Sequence, residues 1–140
     1  MALRLVVMGV SGCGKSTVGH AIAQQLGLAM VDGDDLHAPE SVVRMRAGQP
    51  LTDADRWPWL DRVGQRLATS EAGLVIACSA LRRSYRDRIR QHAGTVRFLF
   101  LDGPHDLIAQ RLQQRRGHYM PATLLDSQFS TLERLSLIHI

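Results

Sequence analysis

Gly9-Val10-Ser11-Gly12-Cys13-Gly14-Lys15-Ser16 fits the pattern G-x-x-x-x-G-K-[ST], and the fold follows from how it is read. An apolar run, residues 3–8, precedes it. A helical pattern follows, with Val18, Ala21, Ile22 and Leu26 on one face and Gly27 placed to cap the C-terminus. Strand, glycine-rich loop and helix in that order are the context of a phosphate-binding P-loop. Gly9, Gly12 and Gly14 let the backbone curl so that successive N–H groups point at phosphate oxygens. The helix beginning near Lys15 adds its positive end to the same spot. A nucleotide held there would contact Gly9, Val10, Ser11, Gly12, Cys13, Gly14, Lys15, Ser16 and Thr17. Lys15 would reach the β- and γ-phosphates, and the Ser16 hydroxyl would ligate Mg²⁺. The competing reading is a glycine-rich turn with a chance Gly-Lys-Ser, which leaves the flanking strand and helix unexplained.

Lys15 is the only lysine among 17 basic side chains; all the others are arginine. The 140 residues make one domain, long enough for a real core. No apolar run approaches the roughly 20 residues of a membrane span. The opening Met-Ala-Leu-Arg-Leu reads as a strand and not as a signal peptide, so the expected location is the cytoplasm. Cys13 and Cys78 give no disulfide framework. Cys13 is either an oxidation-prone thiol near a helix N-terminus or an unreactive filler in the loop. The net charge is +4. It fits either a nucleic-acid binder or an arginine-rich enzyme for anionic ligands. No basic patch is interleaved with aromatics, so the second reading is taken, with neither nucleic acid nor membrane as partner.

Apolar runs at 3–8, 29–31, 74–78 and 96–101 alternate with helical patterns at 15–26, 39–47, 57–70, 84–92, 104–116 and 121–133. Continuous apolar strands separated by helices predict an α/β fold with a parallel sheet covered on both faces. Ligands then bind at the carboxyl ends of the strands, so the polar residues just after each strand are the ones to read for chemistry.

After the second strand comes Asp32-Gly33-Asp34-Asp35-Leu36-His37. Three carboxylates within four positions repel one another unless a cation or a hydroxyl-bearing ligand is present. Asp32 is placed to hold Mg²⁺ through water. Asp34 is placed to take a proton from an attacking hydroxyl. The alternative is an Asp-rich turn that caps the next helix. After the third strand stands Ser79, where an ordinary P-loop ATPase would carry its metal-side Asp. The fourth strand ends in Asp102, but Asp102-Gly103-Pro104 also reads as a turn into a helix, so Asp32 is preferred as the metal-side carboxylate.

Between the second and third strands, Thr52 or Asp53 would cap a helix with Pro58 in its first turn. Arg56 near that helix start works against the dipole. It serves either a ligand anion or an ion pair with Asp53 or Asp55. Trp57 and Trp59 read as packing residues. Arg111 and Arg115 share a helix face at i,i+4, which is repulsive unless an anion lies near. With Arg116 they suggest an arginine-bearing lid over about 111–122, closing on the transferring phosphoryl. A solvated basic helix end is the alternative.

A signalling GTPase needs an Asn-Lys-x-Asp motif, and this chain has no asparagine and no second lysine. Length is taken to exclude a large motor or AAA-type ATPase. A small kinase remains, with Mg·ATP as donor and a polar, anionic, hydroxyl-bearing acceptor, since Arg56, Arg82 and His37 are expected around Asp34.

The chain resembles the bacterial-type gluconokinases of the shikimate-kinase-like group. The resemblance rests on the P-loop from Met8 to Ser16, on Asp32-Gly33-Asp34-Asp35-Leu36-His37, and on Gly48-x-Pro50-Leu51-x-Asp53-x-Asp55-Arg56-x-Pro58-Trp59-Leu60. It continues through Cys78-Ser79-Ala80-Leu81-Arg82-Arg83-x-Tyr85-Arg86-Asp87, Arg115-x-Gly117-His118-Tyr119-Met120 and Ser127-Gln128-Phe129-x-x-Leu132-Glu133. It implies a three-layer α/β/α P-loop fold with sheet order 2-3-1-4-5. It also implies transfer of the ATP γ-phosphoryl group to the 6-hydroxyl of D-gluconate. In that picture Lys15, Asp34 and Arg115 or Arg116 are catalytic, and Arg111 joins the nucleotide site. Asp34, His37, Arg56 and Arg82 hold the sugar acid, while Ser16 and Asp32 serve the metal. Members of the family are often homodimers.

After Glu133 the family continues with a proline-containing turn, a fifth strand and a last helix. This chain reads Arg134-Leu135-Ser136-Leu137-Ile138-His139-Ile140, so residues 1–133 are expected to form the kinase domain and 134–140 a non-native or truncated tail, with the fifth strand missing. The expected consequence is an exposed apolar edge on the fourth strand, with lower stability and weaker ATP binding.

Overall fold

Each of the four apolar runs forms a strand. The computed structural model describes residues 2–10, 14–101, 128 and 131–133. In chain order these give β1 (Arg4–Met8), α1 (Lys15–Leu26) and β2 (Met30–Asp32), then a single 3-10 turn (Gly33–Leu36). They continue with α2 (Pro39–Arg46), α3 (Asp53–Ala68), β3 (Leu74–Ala77), α4 (Arg83–Ala93) and β4 (Arg97–Phe100). All pairings are parallel and the sheet order is β2-β3-β1-β4. Val6 pairs with Ile76 on one side and Phe98 on the other. This is the α/β P-loop fold, with four strands among the described residues.

Side chains on a strand alternate between faces, so a central strand covered on both sides is apolar throughout. In β1, Val6 and Met8 join Leu60, Val63 and Leu67 of α3 and Tyr85 and Ile89 of α4 in one core cluster. Leu5 and Val7 point the other way, toward Ala23 of α1 and Val75. The two clusters are the two faces of a three-layer sandwich. At the end of the sheet away from the P-loop, the Arg4 guanidinium donates to the carbonyls of Ala68 and Ala93, at the C-termini of α3 and α4. A cation suits both helix ends there.

Three local expectations are corrected. The buried face of α1 consists of Gly19 and Ala23, flanked by the partly buried Val18 and Ile22, while Ala21 and Leu26 face solvent. Small residues bring the helix close to the sheet: a Cβ on Gly19 would lie 3.2 Å from Met30 Cε. Second, α3 begins at Asp53, four residues earlier than its apolar periodicity indicates. Thr52 caps it, and Thr52 and Asp55 form a reciprocal capping box. Third, that earlier start puts Pro58 in the second turn of α3 and not the first.

Gln128 and Thr131 are helical, within the expected 121–133 helix. The 104–116 helix, the lid at 111–122 and the tail at 134–140 lie outside the described residues. Among the described residues no helix is long and apolar enough to cross a membrane.

Candidate active site

The carboxyl ends of β1, β2 and β3 meet at one edge. Gly9 follows β1, and its N–H donates to the carbonyl of Ser79, just past β3, at 3.3 Å. Gly14 precedes α1 at φ 98°, a left-handed conformation that a Cβ disfavours. No side chain caps α1 and its first turn holds no acidic residue, so its positive end is left for an anion. Lys15 Nζ donates to the carbonyl of Val10 at 3.0 Å, across the mouth of the loop. Ser11, Gly12 and Cys13 lie outside the described residues, as do Asp102, Arg111, Arg115 and Arg116.

Ser16 Oγ donates to Asp32 Oδ2 at 3.4 Å. The other oxygen, Asp32 Oδ1, accepts the Asp34 N–H at 3.0 Å and caps the 3-10 turn. Asp32 therefore caps the 3-10 turn and not α2, whose N-cap is Ala38, while its other oxygen faces the P-loop hydroxyl. Such a pair fits Mg²⁺, which takes few protein ligands and keeps several waters. Among the described residues no group of three or more His, Cys, Asp or Glu side chains gathers into a denser metal site.

The acidic turn is clamped from two sides. A Cβ on Gly33 would meet the Ala77 carbonyl oxygen at 2.7 Å and Cys78 Cβ at 3.1 Å, so only glycine lets the turn lie against the end of β3. From the other side, Trp59 Nε1 donates to Gly33 O and Arg62 Nε to Leu36 O, both at 2.7 Å. Trp59 is a packing residue, as expected, but it also stacks on the His37 ring, centroids 4.0 Å apart. His37 Nε2 lies 4.0 Å from Asp34 Oδ1, and its buried Nδ1 has no hydrogen-bond partner among the described residues. Cys78 is fully buried, and that burial, with Asp34 nearby, pushes its thiol up to about 12.

Burial, reinforced by Arg62 and Arg56, pushes the His37 imidazole down to about 3. It is neutral at physiological pH. An unfolded chain takes up a proton at this histidine below about pH 6.5, and the folded chain does not until about 3. Stability from this group is therefore complete above pH 6.5 and falls as pH drops, by up to about 1.4 kcal/mol per pH unit. Denaturant melts at pH 7 and pH 5 are expected to differ by about 2 kcal/mol, and by far less in His37→Gln. Carboxylates such as Asp61, held at about 2 chiefly by its hydrogen bond from Arg88, titrate below that window. An equal loss in the variant would place the acid sensitivity elsewhere.

Arg56, from the first turns of α3, donates to Tyr85 Oη at 2.8 Å and lies 3.5 Å from Asp53 Oδ1. Arg82, just before α4, comes within 3.9 Å of Asp53 Oδ2. Of the two ion pairs open in the sequence, Arg56 therefore makes the one with Asp53; Asp55 pairs with Arg44 at 2.7 Å. Asp53, Tyr85 and Trp59 stand inside the quoted motifs, but no spacing rule joins Asp53 on α3 to Tyr85 on α4.

A family model described as an AAA domain matches residues 5–135, so chain length does not exclude that family. Among curated relatives, the gluconokinase of Gluconobacter oxydans (strain 621H) is 49% identical over 133 residues, covering 92% of this chain and 74% of the relative. The structure of a gluconokinase from Sinorhizobium meliloti 1021 is 52% identical with a TM-score of 0.85, covering 94% of this chain and 75% of that one. The unliganded structure of a sugar kinase from Janibacter sp. HTCC2649 is 45% identical with a TM-score of 0.92, covering 98% and 81%. With matches this extensive, on a P-loop built as described, the chain belongs to the gluconokinase family of P-loop kinases.

Proposed function

We propose that this protein transfers the γ-phosphoryl group of ATP to the 6-hydroxyl of D-gluconate, giving 6-phospho-D-gluconate and ADP. The observation that carries the reading is the hydrogen-bonded run Ser16–Asp32–Asp34, which links the phosphate loop to an acidic turn at one sheet edge. The named relatives, gluconokinases among them, support the choice of acceptor. Lys15 exchanges the Val10 carbonyl for the β- and γ-phosphates, while the backbone from Gly9 to Thr17 and Arg111 hold the nucleotide. Asp34 accepts the proton of the 6-hydroxyl as its oxygen bonds to the γ-phosphorus and the bond to the β-phosphate oxygen breaks. Arg56 and Arg82 hold the carboxylate end of the acceptor, with His37 as a neutral hydrogen-bonding neighbour. Arg115 or Arg116 meets the charge on the transferring phosphoryl from the lid. Ser16 and Asp32 would hold Mg²⁺, which supplies charge neutralisation at the phosphates.

A coupled ADP-release assay with gluconate, shikimate and nucleoside monophosphates tests this. Turnover on gluconate alone is the expected result. Turnover only on another acceptor would overturn the substrate assignment, and ATP binding without turnover on any of them would leave a nucleotide-binding module.

A further inference from the structure

Four side chains from three places in the fold converge beside the acidic turn. Tyr85, 1% exposed on α4, donates its hydroxyl to Asp53 Oδ1 at 2.5 Å and accepts from Arg56 Nη1 at 2.8 Å. Its ring is fixed edge-on against Trp57, and the Arg56 guanidinium carbon sits 5.4 Å from its centroid. Asp53 then has one oxygen toward Tyr85 and Arg56 and the other toward Arg82. The Tyr85 hydrogen bond, with Arg82 and Arg56, holds the Asp53 carboxyl below its ordinary value, so it is ionised.

We propose that Asp53 and Tyr85 are positioning residues that set the acceptor specificity of this kinase, holding Arg56 and Arg82 as a site of net charge +1 matched to a monocarboxylate. The inference rests on the assignment of Arg56 and Arg82 to the acceptor. Two arginines alone, at +2, suit a phosphomonoester dianion; one internal carboxylate between them leaves a single positive charge. A neutral polyol leaves that charge unpaired, and a dianion brings one negative charge too many. The buried phenol does the aiming. A guanidinium is a rigid fork, and an acceptor at a fixed point orients it before the ligand arrives.

Tyr85→Phe keeps the ring contacts and removes only the hydroxyl, and Asp53→Asn removes only the charge. In the ADP-release assay, Tyr85→Phe is expected to raise the KM for gluconate about tenfold or more, the size of a lost hydrogen bond to a charged group, with kcat and the KM for ATP within about twofold. Asp53→Asn is expected to raise the same KM and to gain affinity, relative to wild type, for glucose 6-phosphate, a competitor whose only charge is a phosphomonoester dianion. An unchanged gluconate KM in both variants, or a fall in kcat with a parallel rise in the ATP KM that marks general loosening, would overturn the inference while normal wild-type turnover upholds the substrate. A wild-type protein inactive on gluconate overturns both.

Discussion

Asp34→Asn is expected to lower turnover on gluconate by about 100-fold or more, the usual contribution of a positioned general base. Asn is isosteric with Asp, so the residue 34 N–H still donates to Asp32 and the 3-10 turn is kept. In the proposed reaction the lost charge is the one that takes the proton of the acceptor hydroxyl. ATP binding depends on the loop after β1 and on the N-terminus of α1, which this change does not touch. Its affinity is therefore expected to stay within a few-fold by calorimetry. Turnover within threefold of wild type would remove Asp34 as the base.

Arg86→Met is expected to be strongly destabilising. Arg86 is 3% exposed and donates to three backbone carbonyls: Ala80 at 2.8 Å, Leu81 at 3.3 Å and Glu133 at 3.0 Å. Met matches the aliphatic stem and removes the burial cost of a cation. That relief does not decide the sign, because the acceptors are main chain: the buried Ala80 carbonyl loses the donor that Arg86 supplies, and Leu81 O keeps only the Glu133 N–H. A lost bond to a charged group costs about 1.5–3 kcal/mol, so the net loss is about 3 kcal/mol or more. For a chain of this size that is a fall in Tm of about 10 °C. Calorimetry of Arg86→Met beside Arg83→Met, an exposed neighbour, checks it; equal melting points would show that the buried cation contributes nothing. Function should suffer too. Ala80, which Arg86 holds, has a φ of 43° and lies between Ser79, which accepts the Gly9 N–H, and Arg82, proposed for the acceptor site. The strain of a left-handed alanine persists only while its surroundings enforce it.

Much of the fold was legible because its signals are local. Four apolar runs became four parallel strands, and the Gly-Lys-Ser loop stands between strand and helix where the motif requires it. Boundaries were less legible where a cap outweighed periodicity. The polar first turn of α3, Asp53 to Arg56, carries no apolar signal, yet the Thr52–Asp55 capping box starts the helix there. The face of α1 was misread because Gly19 and Ala23 have little hydrophobicity, and their value to the core is their smallness.

In the site, the sequence alone determined which chemistries are present and at which strand ends. A lysine and a serine follow β1, a carboxylate cluster follows β2, and an arginine follows β3, because residues adjacent in sequence stay within a turn of one another. Only the tertiary structure decided their states. His37 is neutral because Trp59, 22 positions along the chain, stacks on it and excludes water. Arg56 and Arg82 share Asp53, and Arg56 meets Tyr85, because α3 packs against α4. Charge state and aim depend on burial and on contacts between distant segments, and spacing along a chain encodes neither.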